Sequence, residues 1–179
     1  MRKFVVYFHG HGSKANGEKV KRLRAGIPDS EVYSFDYELN PKEAIKSLGD
    51  RIDEALVGDL YREPFKMLFV GTSLGAWYAS YFAKQYRSKA LLINPCYDPQ
   101  TMLKKHAVYD EYLQEFFPLD WSVNADYFIS VYDEVIDFSN IGKILVNGKM
   151  NFFYESDHRF AGEEFDDVIR QANLFFDKG

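Results

Sequence analysis

The sequence predicts an α/β fold, with a mostly parallel sheet of about six strands and helices on both faces of the sheet. Short apolar runs alternate along the chain with longer stretches in which apolar residues recur at helical spacing. The short runs are apolar throughout, which is typical of strands buried on both faces of a parallel sheet. The length of 179 residues suits a substantial core, so residues 1–179 are expected to form a single domain.

Six short apolar or aromatic runs are predicted as strands, and several of them end at a glycine or an asparagine. The predicted strands cover residues 4–8, 31–35, 65–70, 90–93, 126–132 and 151–154. Amphipathic stretches predict helices over residues 41–57, 73–86, 138–146 and 162–176. Residues 97–124 interrupt this alternation, and we interpret them as a short helical, cap-like insertion over the sheet.

The charge pattern argues against a nucleic-acid partner. The formal net charge is -5 and the pI is about 5.4, whereas binding to nucleic acid needs a concentrated basic face. One basic cluster, residues 19–24, has helical spacing, and we interpret it as a solvated surface.

Cysteine content and hydropathy indicate the compartment. The only cysteine is Cys96, so no internal disulfide can form, which suits a reducing cytoplasm. No apolar run approaches the length of a transmembrane helix, and the run at residues 4–8 is too short for a signal peptide. We therefore expect a soluble, cytoplasmic protein.

The most informative motif is the sequence GTSLG at residues 71–75, which has the pattern Gly-x-Ser-x-Gly. It follows a predicted strand directly and opens a predicted helix, which is the context of a nucleophile elbow in an α/β-hydrolase fold. Small residues on both sides of Ser73 let strand and helix approach closely, and the helix N-terminus directs free N–H groups at the reacting centre. The alternative is an ordinary turn in which Ser73 is only the N-cap of the helix.

The partners of such a serine follow it in the chain order acid, then histidine. His158 lies just after the last predicted strand, whereas His106 precedes the acid candidates and breaks this order. Asp133 follows the fifth predicted strand and is expected to orient the imidazole of His158. Asp137 is the second candidate for this acid, although it could instead cap the helix that follows.

An oxyanion hole requires two backbone N–H donors, for which the sequence predicts Leu74 and His11. His9 and His11 have no nearby third ligand, so neither a metal site nor a cofactor is expected. Cys96 has no placed base and is interpreted as a small buried residue rather than a nucleophile.

Five separated segments together resemble the YqiA-type esterases, which are small bacterial α/β-hydrolases. These segments are residues 8–10, 71–79, 94–95, 133–137 and 157–160. The resemblance implies a serine esterase or thioesterase with Ser73, Asp133 and His158 as the catalytic residues. The chain departs from the family pattern at Tyr132, where glycine is usual, and at Asp157, where asparagine is usual.

The resulting hypothesis is hydrolysis of a small acyl ester or thioester through an acyl-enzyme on Ser73. Aromatic residues near the catalytic edge, namely Trp77, Tyr97 and Trp121, are expected to line the substrate pocket. Two alternatives stay open: a non-catalytic binding protein with a hydrolase fold, and a peptidase or acyltransferase with the same catalytic residues. The sequence also leaves the acyl chain length and the oligomeric state open.

Overall fold

The computed structural model describes residues 1–57, 64–106, 110–138 and 148–178. The strands are β1 (Arg2–Phe8), β2 (Ser30–Ser34), β3 (Phe65–Thr72), β4 (Lys89–Ile93), β5 (Ala125–Ser130) and β6 (Met150–Phe153). The α-helices are α1 (Glu18–Gly26), α2 (Pro41–Val57), α3 (Leu74–Gln85), α4 (Pro99–Met102), α5 (Asp110–Leu113) and α6 (Glu164–Asp177), and a 3-10 helix covers Leu103–His106.

The described strands form one sheet in the order β2-β1-β3-β4-β5-β6, and every neighbouring pair is parallel. The predicted parallel sheet is therefore confirmed. From β1 the chain goes to β2 on one side and then to β3 on the other side. Such a switch point leaves a crevice at the carboxyl ends of the two central strands, where open α/β sheets bind their ligands.

Helices cover both faces of the sheet, as predicted, because the side chains of each strand alternate between two apolar layers. In β1, Phe4, Val6 and Phe8 face one layer, while Val5 and Tyr7 face the other. The first layer also contains apolar residues of α2 and α3: Leu48, Ile52, Trp77 and Phe82. The second layer contains those of α1 and α6: Val20, Leu23, Phe165 and Val168.

The predicted elements agree with the observed ones to within about two residues at most ends. Strand β5 ends at Ser130, before the predicted end at residue 132, and Val131 and Tyr132 are 37% and 72% exposed. Residues 97–124, the predicted insertion, contain α4, the 3-10 helix and α5. The helix predicted over residues 138–146 lies almost entirely outside the described residues. None of the described helices is both long enough and apolar enough to span a membrane.

The basic cluster at residues 19–24 lies on α1, where Lys21 and Arg24 are exposed and Lys19 and Arg22 are half-buried. The Lys19 amine donates to the carbonyl of Arg159, and the Arg22 guanidinium donates to the carbonyls of Ala161 and Gly162 at 2.9 and 2.8 Å. These cations donate to backbone carbonyls of the loop at residues 159–162. These hydrogen bonds connect helix α1 to the loop that follows His158.

Candidate active site

Ser73 occupies the single-residue turn between β3 and α3, with φ 55° and ψ -121°. A non-glycine residue in this region of backbone space is strained and persists only where its surroundings hold it. The Ser73 N–H donates to the Ile93 carbonyl at 2.9 Å, and its carbonyl accepts from the Cys96 N–H at 3.1 Å. The Ser73 hydroxyl makes no capping hydrogen bond to α3, so its role is not that of an ordinary N-cap.

The two glycines of the motif are required by close backbone contacts. A Cβ on Gly75 would lie 2.1 Å from the Phe8 carbonyl oxygen and 2.4 Å from that of His9. A Cβ on Gly71 would lie 2.4 Å from the carbonyl oxygen of Gly75. The first turn of α3 is therefore pressed against the ends of both β1 and β3, which holds Ser73 at the switch point.

Substitution of Gly75 by alanine is expected to lower the free energy of unfolding by about 3 kcal/mol or more, because the added methyl overlaps backbone that cannot rotate away. Gly49 is a matched control, since a Cβ there would meet only the Phe82 ring at an ordinary 3.7 Å. Gly49→Ala is expected to stabilise helix α2 by about 0.5–1 kcal/mol. Chemical denaturation measures both changes, and equal stability of Gly75→Ala and wild type would contradict the prediction.

Three side chains that are far apart in sequence meet above the sheet. The Nε2 atom of His158 lies 3.0 Å from the Ser73 hydroxyl, and its Nδ1 atom lies 2.7 Å from an Asp133 carboxylate oxygen. The Asp133 side chain is fully buried, at 0% exposure, and that of His158 is 16% exposed. Since Nδ1 faces a carboxylate, the hydrogen-bond network assigns the proton of a neutral imidazole to Nδ1. Nε2 is then free to accept the serine proton.

The Asp133 carboxylate is also fixed by its own loop. Its second oxygen accepts the N–H groups of Val135 and Ile136 at 2.8 and 2.7 Å. Asp137, the other acid candidate, is exposed, and its carbonyl accepts the Tyr97 hydroxyl at 2.8 Å. The geometry thus brings Asp133 to His158 and leaves Asp137 at the surface.

His9 is a buried residue that supports the loop after β1. It is 6% exposed, and its ring stacks on Tyr37 with the ring centroids 4.5 Å apart. Its Nδ1 lies 2.9 Å from the Gly10 carbonyl, and its Nε2 lies 3.4 Å from an Asp36 carboxylate oxygen without hydrogen-bond geometry. Burial raises the pKa of Tyr37 well above its usual range, so its phenol keeps the proton that it donates to the His9 carbonyl. Among the described residues, no group of three His, Cys, Asp or Glu could hold a metal ion.

Gly10 brings this same loop against the nucleophile. A Cβ at Gly10 would lie 3.3 Å from the Ser73 Cβ and 3.9 Å from its hydroxyl oxygen. His11 follows in a turn that is closed by the Ser13 N–H donating to the Gly10 carbonyl at 3.1 Å, and its side chain is exposed. Leu74 is the first residue of α3, where N–H groups have no partner within the helix.

The three aromatic residues that were expected to line a pocket differ in position. Trp77 is 0% exposed and packs edge-to-face on Phe116 and Phe117, so within the described part of the chain it anchors the insertion to α3 as a core residue, contrary to expectation. Tyr97 and Trp121 do share a pocket of about 330 Å³ within the insertion. The correction for Trp77 arises because aromatic side chains on α3 face the layer that the insertion covers.

The loop that carries His158 is held by contacts that the sequence analysis did not predict. The Asp157 carboxylate accepts the N–H groups of Arg159 and Phe160 at 2.9 and 3.2 Å, which forms an Asx turn. Phe160 has φ 49° and is fully buried, which anchors the loop in the core. The N–H of His158 donates to the Glu134 carboxylate at 3.0 Å.

Asn94 supports the same loop and, like Phe160, is 0% exposed. Its amide contacts Ser130 and the backbone of the His158 loop. The dipeptide Asn94-Pro95 directly after a predicted strand is the signal that could have identified it. A residue before proline normally has an extended backbone. A polar residue in this position, directly after a strand, therefore indicates a turn with an unusual backbone conformation.

Cys96 is fully buried, and burial together with the nearby Asp98 carboxylate raises the pKa of its thiol well above the usual range. The thiol is therefore protonated through the neutral pH range and does not attack electrophiles. We expect iodoacetamide at pH 8 to leave Cys96 unmodified in the folded protein and to modify it readily in denaturant. Mass spectrometry of the intact chain measures this, and similar alkylation rates in both states would contradict it.

Solved structures of several α/β hydrolases share this fold. Est1E from Butyrivibrio proteoclasticus, with ferulic acid bound, matches with a TM-score of 0.75 and 11% identity over 97% of this chain and 88% of that chain. An esterase from Pyrococcus furiosus matches with a TM-score of 0.72 and 14% identity, over 97% of this chain and 81% of that one. Alpha/beta hydrolase domain-containing protein 10 from mouse matches with a TM-score of 0.69 and 14% identity, over 98% and 90%. The α/β-hydrolase fold predicted from the sequence is confirmed.

Sequence comparison identifies the family. A search of curated proteins finds no significant match. The profile of UPF0227, described as an uncharacterised protein family, matches residues 4–176, which is nearly the whole chain. The chain therefore belongs to UPF0227, the YqiA family that its sequence motifs resemble.

Proposed function

We propose that this chain is a serine hydrolase that cleaves acyl esters or thioesters, with Ser73 as nucleophile, His158 as general base and Asp133 as the orienting acid. One observation carries the proposal: an unbroken hydrogen-bonded chain of 3.0 and 2.7 Å from the Ser73 hydroxyl through His158 to a buried carboxylate. Nucleophile, base and orienting group within hydrogen-bond reach are the signature of an activated serine. The esterases among the structurally similar proteins support the same reaction class.

The reaction proceeds in two steps. Nε2 of His158 takes the Ser73 proton while Oγ attacks the carbonyl carbon, and the imidazolium then gives that proton to the departing alcohol or thiol. In the second step His158 takes a proton from water, the hydroxide attacks the acyl-enzyme, and the proton returns to Ser73 as the acid leaves. Asp133 stabilises the imidazolium that forms in both steps.

The oxyanion of each tetrahedral intermediate would accept from the N–H groups of Leu74 and His11. Leu74 supports this role because it begins α3, where the helix dipole and the unpaired N–H groups favour negative charge. Gly10 supports it for His11, because its contact with Ser73 brings the turn that contains His11 alongside the nucleophile. Loss of one such donor typically costs about 3 kcal/mol of transition-state stabilisation.

The proposed substrate is a small acyl ester or thioester, and the pocket that Tyr97 and Trp121 share is the proposed place for its apolar part. The single cysteine in the sequence favours a reducing compartment, so we propose a cytoplasmic location. No metal or cofactor is needed for this chemistry, because a base-activated serine supplies the nucleophile.

A substrate screen tests the proposed activity. Wild type is expected to release p-nitrophenol from p-nitrophenyl esters of graded chain length, and a parallel series of acyl thioesters distinguishes the two leaving groups. His158→Gln, which cannot act as a base at this position, is expected to be inactive on every substrate. Equal rates for wild type and His158→Gln would contradict the proposal.

The same screen separates the rival functions. Transfer of the acyl group to an added alcohol or amine, rather than to water, would indicate an acyltransferase. Cleavage of peptides without ester hydrolysis would indicate a peptidase. A folded wild type with no turnover at all would indicate a binding protein with a hydrolase fold.

A further inference from the structure

The turn after β4 holds the backbone of Ser73 from both sides. The Ile93 carbonyl accepts the Ser73 N–H at 2.9 Å, and the Cys96 N–H donates to the Ser73 carbonyl at 3.1 Å. Asn94 lies between these two contacts in the chain. Any group that Asn94 holds is therefore tied to the nucleophile through one short turn.

The side chain of Asn94 holds the other half of the site. Its amide nitrogen lies 2.9 Å from the Ser130 hydroxyl, 3.1 Å from the His158 carbonyl and 3.3 Å from the Asp157 carbonyl. Its oxygen accepts the Ser130 N–H at 2.7 Å, and the Ser130 hydroxyl donates to the Asp157 carbonyl at 2.8 Å. Asn94 and Ser130, both 0% exposed, therefore hold the consecutive carbonyls of Asp157 and His158 by hydrogen bonds.

The backbone of Asn94 is itself constrained to make these contacts. Its φ is 42°, in the left-handed region, and the next residue is Pro95. Residues before proline favour extended backbone, so this conformation is strained. Asparagine tolerates it better than most residues and brings an amide with both a donor and an acceptor. Because the Asn94 and Ser130 side chains are both buried, their hydrogen bonds to the loop make a rigid connection.

We propose that Asn94 is a positioning residue that fixes the His158 loop relative to Ser73, by joining the backbones of both residues through the turn at residues 93–96. Among the described residues Asn94 makes no hydrogen bond to the Ser73 hydroxyl or to the imidazole, so it acts through the loop backbone and not on the reacting atoms. The catalytic consequence rests on the proposed hydrolase function. The positional consequence does not, because the hydrogen bond between His158 and Asp133 can be observed without turnover.

The test removes the amide and keeps the backbone conformation. Glycine adopts φ 42° without strain, so Asn94→Gly deletes the contacts of the side chain and retains the turn. In this variant the rate of Ser73 labelling by a fluorophosphonate is expected to fall at least about tenfold, because a displaced base loses its alignment. For any ester that wild type hydrolyses, kcat is expected to fall more than KM rises. The downfield proton resonance of His158 Nδ1–H, assigned with His158→Gln, is expected to broaden or disappear.

Asn173→Ala is the matched control. The Asn173 amide also donates to a backbone carbonyl, that of Gly26 at 2.9 Å, but it lies on α6, and within the described residues it has no hydrogen bond to the His158 loop. Its labelling rate and its Nδ1–H resonance are expected to match those of wild type. This comparison separates loss of positioning from the general cost of deleting an amide that donates to the backbone.

Ser130→Ala tests the same network if Asn94→Gly does not fold. It removes the hydroxyl that links Asn94 to the Asp157 carbonyl. The labelling rate is expected to fall about threefold, because the hydrogen bond from Asn94 to the His158 carbonyl remains. Unchanged labelling and an unchanged resonance in whichever of these variants folds would overturn the proposal. A wild type that shows the resonance but neither labelling nor ester hydrolysis would instead overturn the hydrolase function, and the resonance in the variants would still test the positioning.

Discussion

Replacement of Ser73 by alanine is expected to lower kcat/KM for ester hydrolysis by roughly 10⁴–10⁶-fold, because no other group near His158 can form the acyl-enzyme. Fold stability should change little, since the Ser73 hydroxyl caps no helix and, within the described part of the chain, hydrogen-bonds only to the imidazole. Kinetics with the best ester from the substrate screen measure the effect.

Ser80→Ala is the matched control for this substitution. Ser80 lies on the same helix about two turns further on, is 2% exposed, and its hydroxyl has no hydrogen-bond partner within the described part of the chain. Its removal is expected to leave kcat/KM within twofold and to stabilise the fold slightly, because an unsatisfied buried hydroxyl is lost. Activity of Ser73→Ala comparable to that of Ser80→Ala would exclude Ser73 as the nucleophile.

Asp133→Asn is expected to lower kcat by about 10³–10⁴-fold with the fold intact. The carboxylate accepts on both sides: one oxygen from the Val135 and Ile136 N–H groups, the other from His158 Nδ1. An amide offers one oxygen and one NH₂ group, so in either orientation a donor would meet a donor. If the NH₂ faces His158, the imidazole must carry its proton on Nε2, and it can then no longer accept the proton of Ser73.

Asp137→Asn provides the comparison, because Asp137 was the second candidate for the orienting acid and is exposed. Its kcat is expected to stay within about threefold of wild type, as is usual for a surface substitution away from the reacting groups. A larger loss in Asp137→Asn than in Asp133→Asn would reverse the assignment. Steady-state kinetics of both variants at one pH are sufficient.

The sheet and the region of the nucleophile could be predicted because their signals are local. The apolar runs of β3 and β4 reflect burial on both faces, and the glycines beside Ser73 reflect contacts with adjacent backbone. His158 and Asp133 could be selected by the chain order serine, acid, histidine and by their positions after predicted strands, since the carboxyl ends of parallel strands lie at one edge of the sheet. These predictions needed no knowledge of side-chain packing.

The supporting contacts could not be predicted, because each depends on residues that are distant in sequence and come together only in the folded chain. The sequence does not show whether an aromatic residue such as Trp77 lines a pocket or belongs to the core. The contacts of Trp77 with Phe116 and Phe117 place it in the core. Arg22 resembles any surface cation until its contacts with the carbonyls of residues 161 and 162 are seen. Charge and hydropathy carry no information about such partners.

The most direct test is to treat the folded protein with a fluorophosphonate and to locate the adduct by peptide mass spectrometry. If a base-activated serine is present at the carboxyl edge of the sheet, one equivalent should attach to Ser73 in wild type. Attachment should be lost in Ser73→Ala and slowed by orders of magnitude in His158→Gln. A correctly folded wild type that stays unmodified, or one that is modified equally fast without His158, would contradict the hydrolase assignment.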